Sequence, residues 1–169
     1  ARALLSAIGS TIVPAANRRN VTLDIQVDED TPKLWGDAVR LRQIMLNLAD
    51  NAVKFTGDGG TVSLSARGGD LTTGGPSGLG TALFATTRPA VVLTVRDTGI
   101  GIDDGKLSRI FDAFYQVDGG TTRSHGGAGL GLSIVKQLVD GHEGEIKVSS
   151  TLGQGTLFTV SLPAAEDDA

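Results

Sequence analysis

Residues 40–56 read RLRQIMLNLADNAVKFT, and their apolar side chains follow a helical spacing. An apolar residue recurs every three or four positions, which places these side chains on one face of a helix. The stripe consists of Val39, Leu41, Ile44, Leu48 and Ala52. Asp37 precedes it, and aspartate is a preferred N-cap because its carboxylate accepts hydrogen bonds from the first free N–H groups. The pattern predicts an amphipathic helix over residues 38–55.

Shorter patterns on both sides of this helix predict a sheet and further helices. Residues 21–27 alternate apolar and polar side chains as a half-buried strand does, and residues 90–95 are nearly continuous in apolar residues, as in a central strand. The other predicted elements are a helix at 3–17, a strand at 61–66, helices at 105–114 and 129–140, and a hairpin that turns at Thr151–Gly155. This order favours an α+β two-layer sandwich with a mixed, mostly antiparallel sheet and helices on one face.

The composition fits one globular domain. The chain has 169 residues, 40% of them hydrophobic, and a net charge of −4. Its basic residues are scattered along the chain, so no nucleic-acid partner is expected. The absence of cysteine excludes disulfides and thiolate metal sites, and no apolar run is long enough to cross a membrane. The glycine-rich residues 68–80 predict a surface insertion between two strands.

The polar face of the predicted helix carries the first candidate site. Asn47, Asn51 and Lys54 are spaced four and three residues apart, so they point to the same side of a helix. Amide oxygens suit Mg²⁺, which prefers oxygen ligands, and a lysine adds a positive charge for phosphates. On its own the pattern is equally compatible with a helix whose polar side simply faces water.

Two glycine clusters follow downstream. Asp97 ends a buried strand before Gly99 and Gly101, where its carboxylate could accept a hydrogen bond from the exocyclic amine of adenine, although a simple tight turn needs the same residues. The second cluster, GGAGLGL at 126–132, runs into a helical pattern and predicts an anion site at a helix N-terminus. Its spacing fits neither the dinucleotide-binding GxGxxG motif nor a P-loop.

Five segments in this order resemble the catalytic and ATP-binding domain of sensor histidine kinases, within the gyrase, chaperone and mismatch-repair ATPase superfamily. They are RLRQIMLNLADNAVKFT, DTGIGI, IFDAFYQVD, GGAGLGLSIV and LGQGTLF, which are similar to the family's N, G1, F, G2 and third glycine motifs. The resemblance covers nearly the whole chain. It implies a Bergerat-type fold that binds ATP and Mg²⁺, with an ATP lid over roughly residues 102–128.

The resemblance also assigns roles to individual residues. Asn51 is the expected Mg²⁺ ligand, Asn47 lies in the same region, Asp97 reads the adenine amine, and Thr156 supports the adenine end. The complete nucleotide site implied in this way consists of Asn47, Asn51, Lys54, Phe55, Asp97, Gly99, Gly101, Ile102, Arg123, Gly127, Gly129, Leu130, Gly131, Leu132 and Thr156.

One residue separates the reaction classes of the superfamily. Gyrase-like members carry a glutamate, the base that activates water, where this chain has Asn47, and an amide cannot accept that proton. We therefore expect ATP to serve phosphoryl transfer to a histidine rather than efficient hydrolysis. The alternatives are a gyrase-like or chaperone-like ATPase and a non-catalytic ATP-binding module.

The expected domain arrangement follows from the same resemblance. Residues 1–169 are expected to form a single catalytic domain without the dimerisation and phosphoacceptor domain, so no catalytic residue is expected within this chain. The expected partners are that dimerisation domain and the receiver domain of a response regulator. The isolated domain is expected to be a cytoplasmic monomer, and its parent a homodimer that could be membrane-bound.

Overall fold

A five-stranded mixed sheet and its helices account for most of the chain in the computed structural model, which describes residues 1–73, 86–115 and 129–165. In chain order the elements are α1 (Arg2–Arg18), β1 (Thr22–Val27), α2 (Ala38–Phe55), β2 (Thr61–Thr73), β3 (Thr86–Asp97), α3 (Asp104–Leu107), α4 (Gly131–Gly141), β4 (Glu145–Thr151) and β5 (Gly155–Pro163). Within these ranges, the helices lack the length and apolar character that a membrane-spanning segment requires.

The strand order places the ends of several strands together at one edge of the sheet. The order is β1-β2-β3-β5-β4, with β1 parallel to β2 and the other pairs antiparallel. Val62 at the start of β2 pairs with Asp97 at the end of β3, and Thr151 at the end of β4 pairs with Gly155 at the start of β5. The loops that join these strand ends to the helices therefore meet at this edge.

The core lies between the sheet and the helices. Alternate residues of the central strands are buried on the inner face, among them Leu64, Leu93 and Val160 at 0–1% exposure. These side chains pack in one cluster with apolar residues of α1, α2 and α4, and α2 contacts both α1 and α4. On the outer face Ser65 and Thr94 form a hydrogen bond across β2 and β3 at 2.6 Å. The predicted two-layer α+β fold is confirmed.

Helix α2 has the predicted limits, residues 38–55, and its apolar stripe packs on the core except at Val39, which is 74% exposed. Leu41, Ile44 and Leu48 are at most 5% exposed, and Asp37 caps the helix by accepting hydrogen bonds from Val39 N at 2.8 Å and Arg40 N at 3.1 Å. Both hydrogen bonds lower the pKa of the Asp37 carboxyl, and the bond from Arg40 N has the larger effect.

The predicted insertion at residues 68–80 is wrong over its first part. Strand β2 continues to Thr73, with Gly68 opposite Val91 and Gly69 opposite Ala90. Glycine is accepted there because a Cβ atom on Gly69 would come within 2.7 Å of Val92 Cγ2. The rest of the predicted insertion lies outside the described residues. The helix predicted at 105–114 is also shorter, since α3 ends at residue 107.

Candidate functional site

The side chain of Asp97 is a buried acceptor at the end of β3. It is 7% exposed, and its Oδ1 accepts hydrogen bonds from Gly99 N at 2.8 Å and Thr156 N at 3.2 Å. Burial raises the pKa of this carboxyl, and the two hydrogen bonds offset part of that effect. Since no residue of the described ranges bonds to Oδ2, the carboxylate keeps one oxygen for another donor.

The segment after Asp97 is held against two other elements and depends on glycine. A Cβ atom on Gly99 would lie 2.3 Å from the backbone oxygen of Phe55, which also accepts a hydrogen bond from Ile100 N at 3.2 Å. Gly101 has φ +68°, and a Cβ there would lie 2.1 Å from Thr151 O. The bare backbone of this segment thus touches the end of α2 and the end of β4.

The polar face of α2 lies beside the start of α4. Asn47 and Asn51 are half-buried, and a Cβ atom built on Gly131 would be 3.7 Å from Asn47 Oδ1 and 3.9 Å from Asn51 Nδ2. Lys54 continues this face, with its Nζ 5.2 Å from the centre of the Phe55 ring, which is 40% exposed. The two asparagines therefore adjoin the first residue of another helix, and Lys54 lies one turn further along α2.

The start of α4 presents backbone N–H groups. Gly129 has φ +71° and its oxygen accepts a hydrogen bond from Phe114 N at 3.0 Å, which fixes the entry to the helix. Leu130 is the N-cap and makes no side-chain capping bond. The N–H groups of the first turn, from Gly131 and Leu132 onward, have no acceptor within the helix. Such a terminus attracts anions because its N–H dipoles point outward.

Thr156 completes the group around Asp97 and is only 7% exposed. Its Oγ1 lies 2.9 Å from the hydroxyl oxygen of Ser150, which accepts a hydrogen bond from Ile102 N at 2.8 Å. Ser150, which the sequence interpretation did not single out, thus links Ile102 to Thr156, whose backbone N–H in turn bonds to Asp97. The missed signal was the alternation in β4, where Ile146, Val148 and Ser150 fall on the inner face.

The structure brings together most of the residues predicted for the site. Four segments meet at one edge of the sheet, namely the C-terminal half of α2, the turn after β3, the start of α4, and the β4–β5 hairpin. Arg123 and Gly127 lie outside the described residues, as does the part of the predicted lid from residue 116 to residue 128. The result is a carboxylate acceptor at one end and amides with a helix terminus at the other.

This arrangement agrees with the comparisons to known proteins. Residues 36–166 match the family described as histidine kinase-, DNA gyrase B-, and HSP90-like ATPase. The chain belongs to this family. Its resemblance to the ATP-binding domain of sensor histidine kinases, rather than to gyrase or HSP90, is supported by the curated relatives, which are sensor histidine kinases.

Two relatives and one solved structure illustrate the match. The autoinducer 2 sensor kinase/phosphatase LuxQ of Vibrio parahaemolyticus is 40% identical over 90% of this chain, and the circadian input-output histidine kinase CikA of Synechococcus elongatus is 41% identical over 83%. Each match covers 16% of the relative, so the chain spans about a sixth of their length. Full-length ShkA in complex with AMPPNP superposes with a TM-score of 0.76 at 35% identity, covering 99% of this chain and 30% of ShkA.

Proposed function

We propose that residues 1–169 form the catalytic and ATP-binding domain of a sensor histidine kinase. In this proposal the domain holds Mg²⁺-ATP and donates the γ-phosphoryl group to a histidine on the dimerisation domain of its parent protein. The observation that carries the proposal is the approach of the Asn47 and Asn51 amides to Gly131 at the N-terminus of α4. Neutral oxygen ligands and outward N–H groups side by side suit a phosphate chain with its metal.

The base end of the proposed site is Asp97. Its Oδ2 is available to accept a hydrogen bond from the exocyclic amine of adenine, while Oδ1 is fixed by Gly99 and Thr156. Guanine has a carbonyl at the corresponding position, and two acceptors would then face each other. The segment that follows Asp97 is held by the close backbone contact between Gly99 and Phe55 at the end of α2. This end of the site therefore favours ATP over GTP.

The phosphate end is formed by α2 and α4. Within the described part of the chain no three histidine or acidic side chains gather into a metal cluster, so the fitting metal ligands are the amide oxygens of Asn51 and Asn47. These suit Mg²⁺, which keeps several waters and shares its coordination with phosphates. Bound there, Mg²⁺ would neutralise charge on the phosphates. Lys54 and the first N–H groups of α4 would supply the remaining positive potential.

The residue at position 47 favours transfer over hydrolysis. Asn47 is half-buried beside Gly131, and by the family resemblance it occupies the position of the glutamate base of the hydrolase members. An amide has no basic lone pair for that proton, so ATP would remain intact until a stronger nucleophile arrives. A histidine imidazole on a separate domain fits this requirement, and positioning with charge neutralisation would supply the catalysis.

The partners follow from the multidomain relatives. LuxQ and CikA are a sensor kinase/phosphatase and a histidine kinase, each several times longer than this chain. We propose a dimerisation domain that carries the acceptor histidine and a response-regulator receiver domain downstream. The catalytic domain itself would act in the cytoplasm as a monomeric unit of a homodimeric parent.

The test has a binding step and a transfer step. Calorimetry of the chain with Mg²⁺-ADP should give saturable binding, which Asn51→Ala weakens and Asn17→Ala, at an exposed asparagine of α1, leaves unchanged. Fusion to a helical dimerisation domain with an acceptor histidine should then allow labelling from γ-labelled ATP. Binding without any label on the histidine would refute the kinase assignment. Steady ATP turnover by the unfused chain, abolished by changing Asn47, would favour the hydrolase alternative.

A further inference from the structure

The hydroxyl of Ser150 joins three chain segments behind the base end of the site. Its Oγ lies 2.8 Å from Ile102 N, 2.9 Å from Gly155 O and 2.9 Å from Thr156 Oγ1. These contacts connect β4 to the segment after β3 and to the start of β5. Ser150 is half-buried and lies on the inner face of the sheet, the same face of β4 as Ile146.

The donors and acceptors of this group can be assigned one by one. The N–H of Ile102 can only donate, so Ser150 Oγ accepts from it, and the carbonyl of Gly155 can only accept, so the single proton of Ser150 goes there. The remaining contact, with Thr156 Oγ1, is then satisfied when Thr156 donates its own proton to Ser150. Ser150 thus accepts two hydrogen bonds and donates one, and the Thr156 proton is committed to it.

The orientation of Thr156 matters because of its neighbour across the strands. Arg96 pairs with Leu157, so Asp97 and Thr156 are the next cross-strand neighbours and share the inner face. The Thr156 N–H already bonds to Asp97 Oδ1. A base that reaches Asp97 Oδ2 therefore lies beside a hydroxyl whose proton points away toward Ser150.

We propose that Ser150 is a positioning residue that sets base selectivity through Thr156. By holding the Thr156 proton, Ser150 leaves only lone pairs toward the base, so Thr156 and Asp97 together form an acceptor-only recess. Such a recess suits the 6-amino group of adenine, which donates, and disfavours the 6-oxo group of hypoxanthine or guanine, which accepts. This inference rests on the proposed nucleotide binding and adds to it a determinant of selectivity that does not itself contact the base.

The test measures by calorimetry the affinity of the folded chain for ADP and for inosine diphosphate. The bases of these two nucleotides differ in their donor and acceptor pattern at positions 1 and 6. The wild type should prefer ADP. Ser150→Ala frees the Thr156 proton to rotate and donate to a 6-oxo group, so the ADP to inosine diphosphate affinity ratio should fall about threefold to tenfold, the worth of one hydrogen bond. Ser150→Thr keeps a hydroxyl and should restore the ratio to within about twofold.

Controls separate this role from a general structural one. Ser149→Ala removes an exposed hydroxyl of the same strand and should leave the ratio unchanged. In a Thr156→Val background, Ser150→Ala should change the ratio no further, because the proton through which Ser150 acts is gone. If Ser150→Ala fails to fold, Ser150→Cys replaces it, because its thiol is similar in size but bonds weakly. This variant should lower the ADP to inosine diphosphate affinity ratio by the same amount.

Three outcomes would overturn the inference. An unchanged ratio in folded Ser150→Ala, or in its cysteine substitute, removes Ser150 from base selection. If Ser150→Ala lowers the affinity ratio by the same amount in the Thr156→Val background, Ser150 does not act through Thr156. A wild type that binds neither nucleotide overturns the proposed function as well, whereas ADP binding with an unaltered ratio overturns the role of Ser150 alone.

Discussion

Replacing Asp97 with asparagine should separate nucleotide binding from folding. Asparagine has nearly the same shape, and its amide oxygen can keep the hydrogen bonds from Gly99 N and Thr156 N that the Asp97 Oδ1 atom now accepts. The second oxygen becomes an NH₂ group. An acceptor facing the adenine amine is thereby exchanged for a donor, and two donors then face each other.

The expected loss of binding is set by that one contact. A base amine left without its acceptor in a buried site costs about 1–3 kcal/mol, which raises the Kd for ADP about 5- to 150-fold. The free energy of unfolding, in contrast, should rise at neutral pH. Burial raises the pKa of Asp97, so its ionised form costs folding free energy at neutral pH, and the neutral amide removes that cost.

The pH dependence gives the sign of the stability effect. A raised pKa in the folded state means that the contribution of this carboxyl to stability is complete below its unfolded pKa and is lost as pH rises through the folded pKa. The free energy of unfolding of Asp97→Asn should therefore exceed that of the wild type at pH 7, and the excess should shrink as pH falls to about 4.

Calorimetry with ADP and urea unfolding at several pH values measure the two effects. Asp37→Asn makes the same chemical change at the opposite end of α2, where asparagine is also a good N-cap, and should leave ADP affinity unaltered. Unchanged affinity in Asp97→Asn would remove Asp97 from the base site. A variant less stable than the wild type at pH 7 would show that the buried charge is not a net cost.

Three further predictions concern the fold. Gly99→Ala should lower the free energy of unfolding by about 1–3 kcal/mol in urea titration, because its Cβ would meet Phe55 O at 2.3 Å, whereas Gly57→Ala, with no atom within 4 Å, should stay within about 0.5 kcal/mol. Leu93→Ala, in a fully packed strand, should cost about 2–5 kcal/mol by the same measurement. For Asp37, whose pKa is lowered by backbone hydrogen bonds, the stability advantage of the wild type over Asp37→Asn should disappear as pH falls below about 4 in thermal unfolding.

Local sequence patterns predicted a helix or strand correctly where the residues of the pattern also pack in the core. The stripe on α2 predicted both limits of that helix, because four of its five apolar positions, Leu41, Ile44, Leu48 and Ala52, became contacts with the core, while Val39 stayed exposed. The alternation in β5 and the turn at Thr151–Gly155 gave the closing hairpin for the same reason. In β2 the local signal failed, since Gly68 and Gly69 indicate a loop but are held in a strand by pairing with β3.

The candidate site was predictable in its parts and not in its assembly. Asn47, Asn51 and Asp97 were identified from their residue types and from the order of the motifs. Their proximity to Gly131 and Thr156 depends on strand order and helix packing, which join segments far apart in the chain. Ser150 illustrates the limit, because a serine on an inner strand face gains its meaning only from the three atoms around it.

The sequence by itself determined the elements, the family resemblance and the chemical identity of the site, because these depend on residue type and on spacing along one helix or strand. Tertiary structure decided which atoms meet. The sheet order brings the end of β3 beside the start of β5, so Asp97 is buried and its second oxygen stays available. The packing of α2 on α4 places two asparagines at a helix terminus, and this is a long-range contact that residue patterns do not encode.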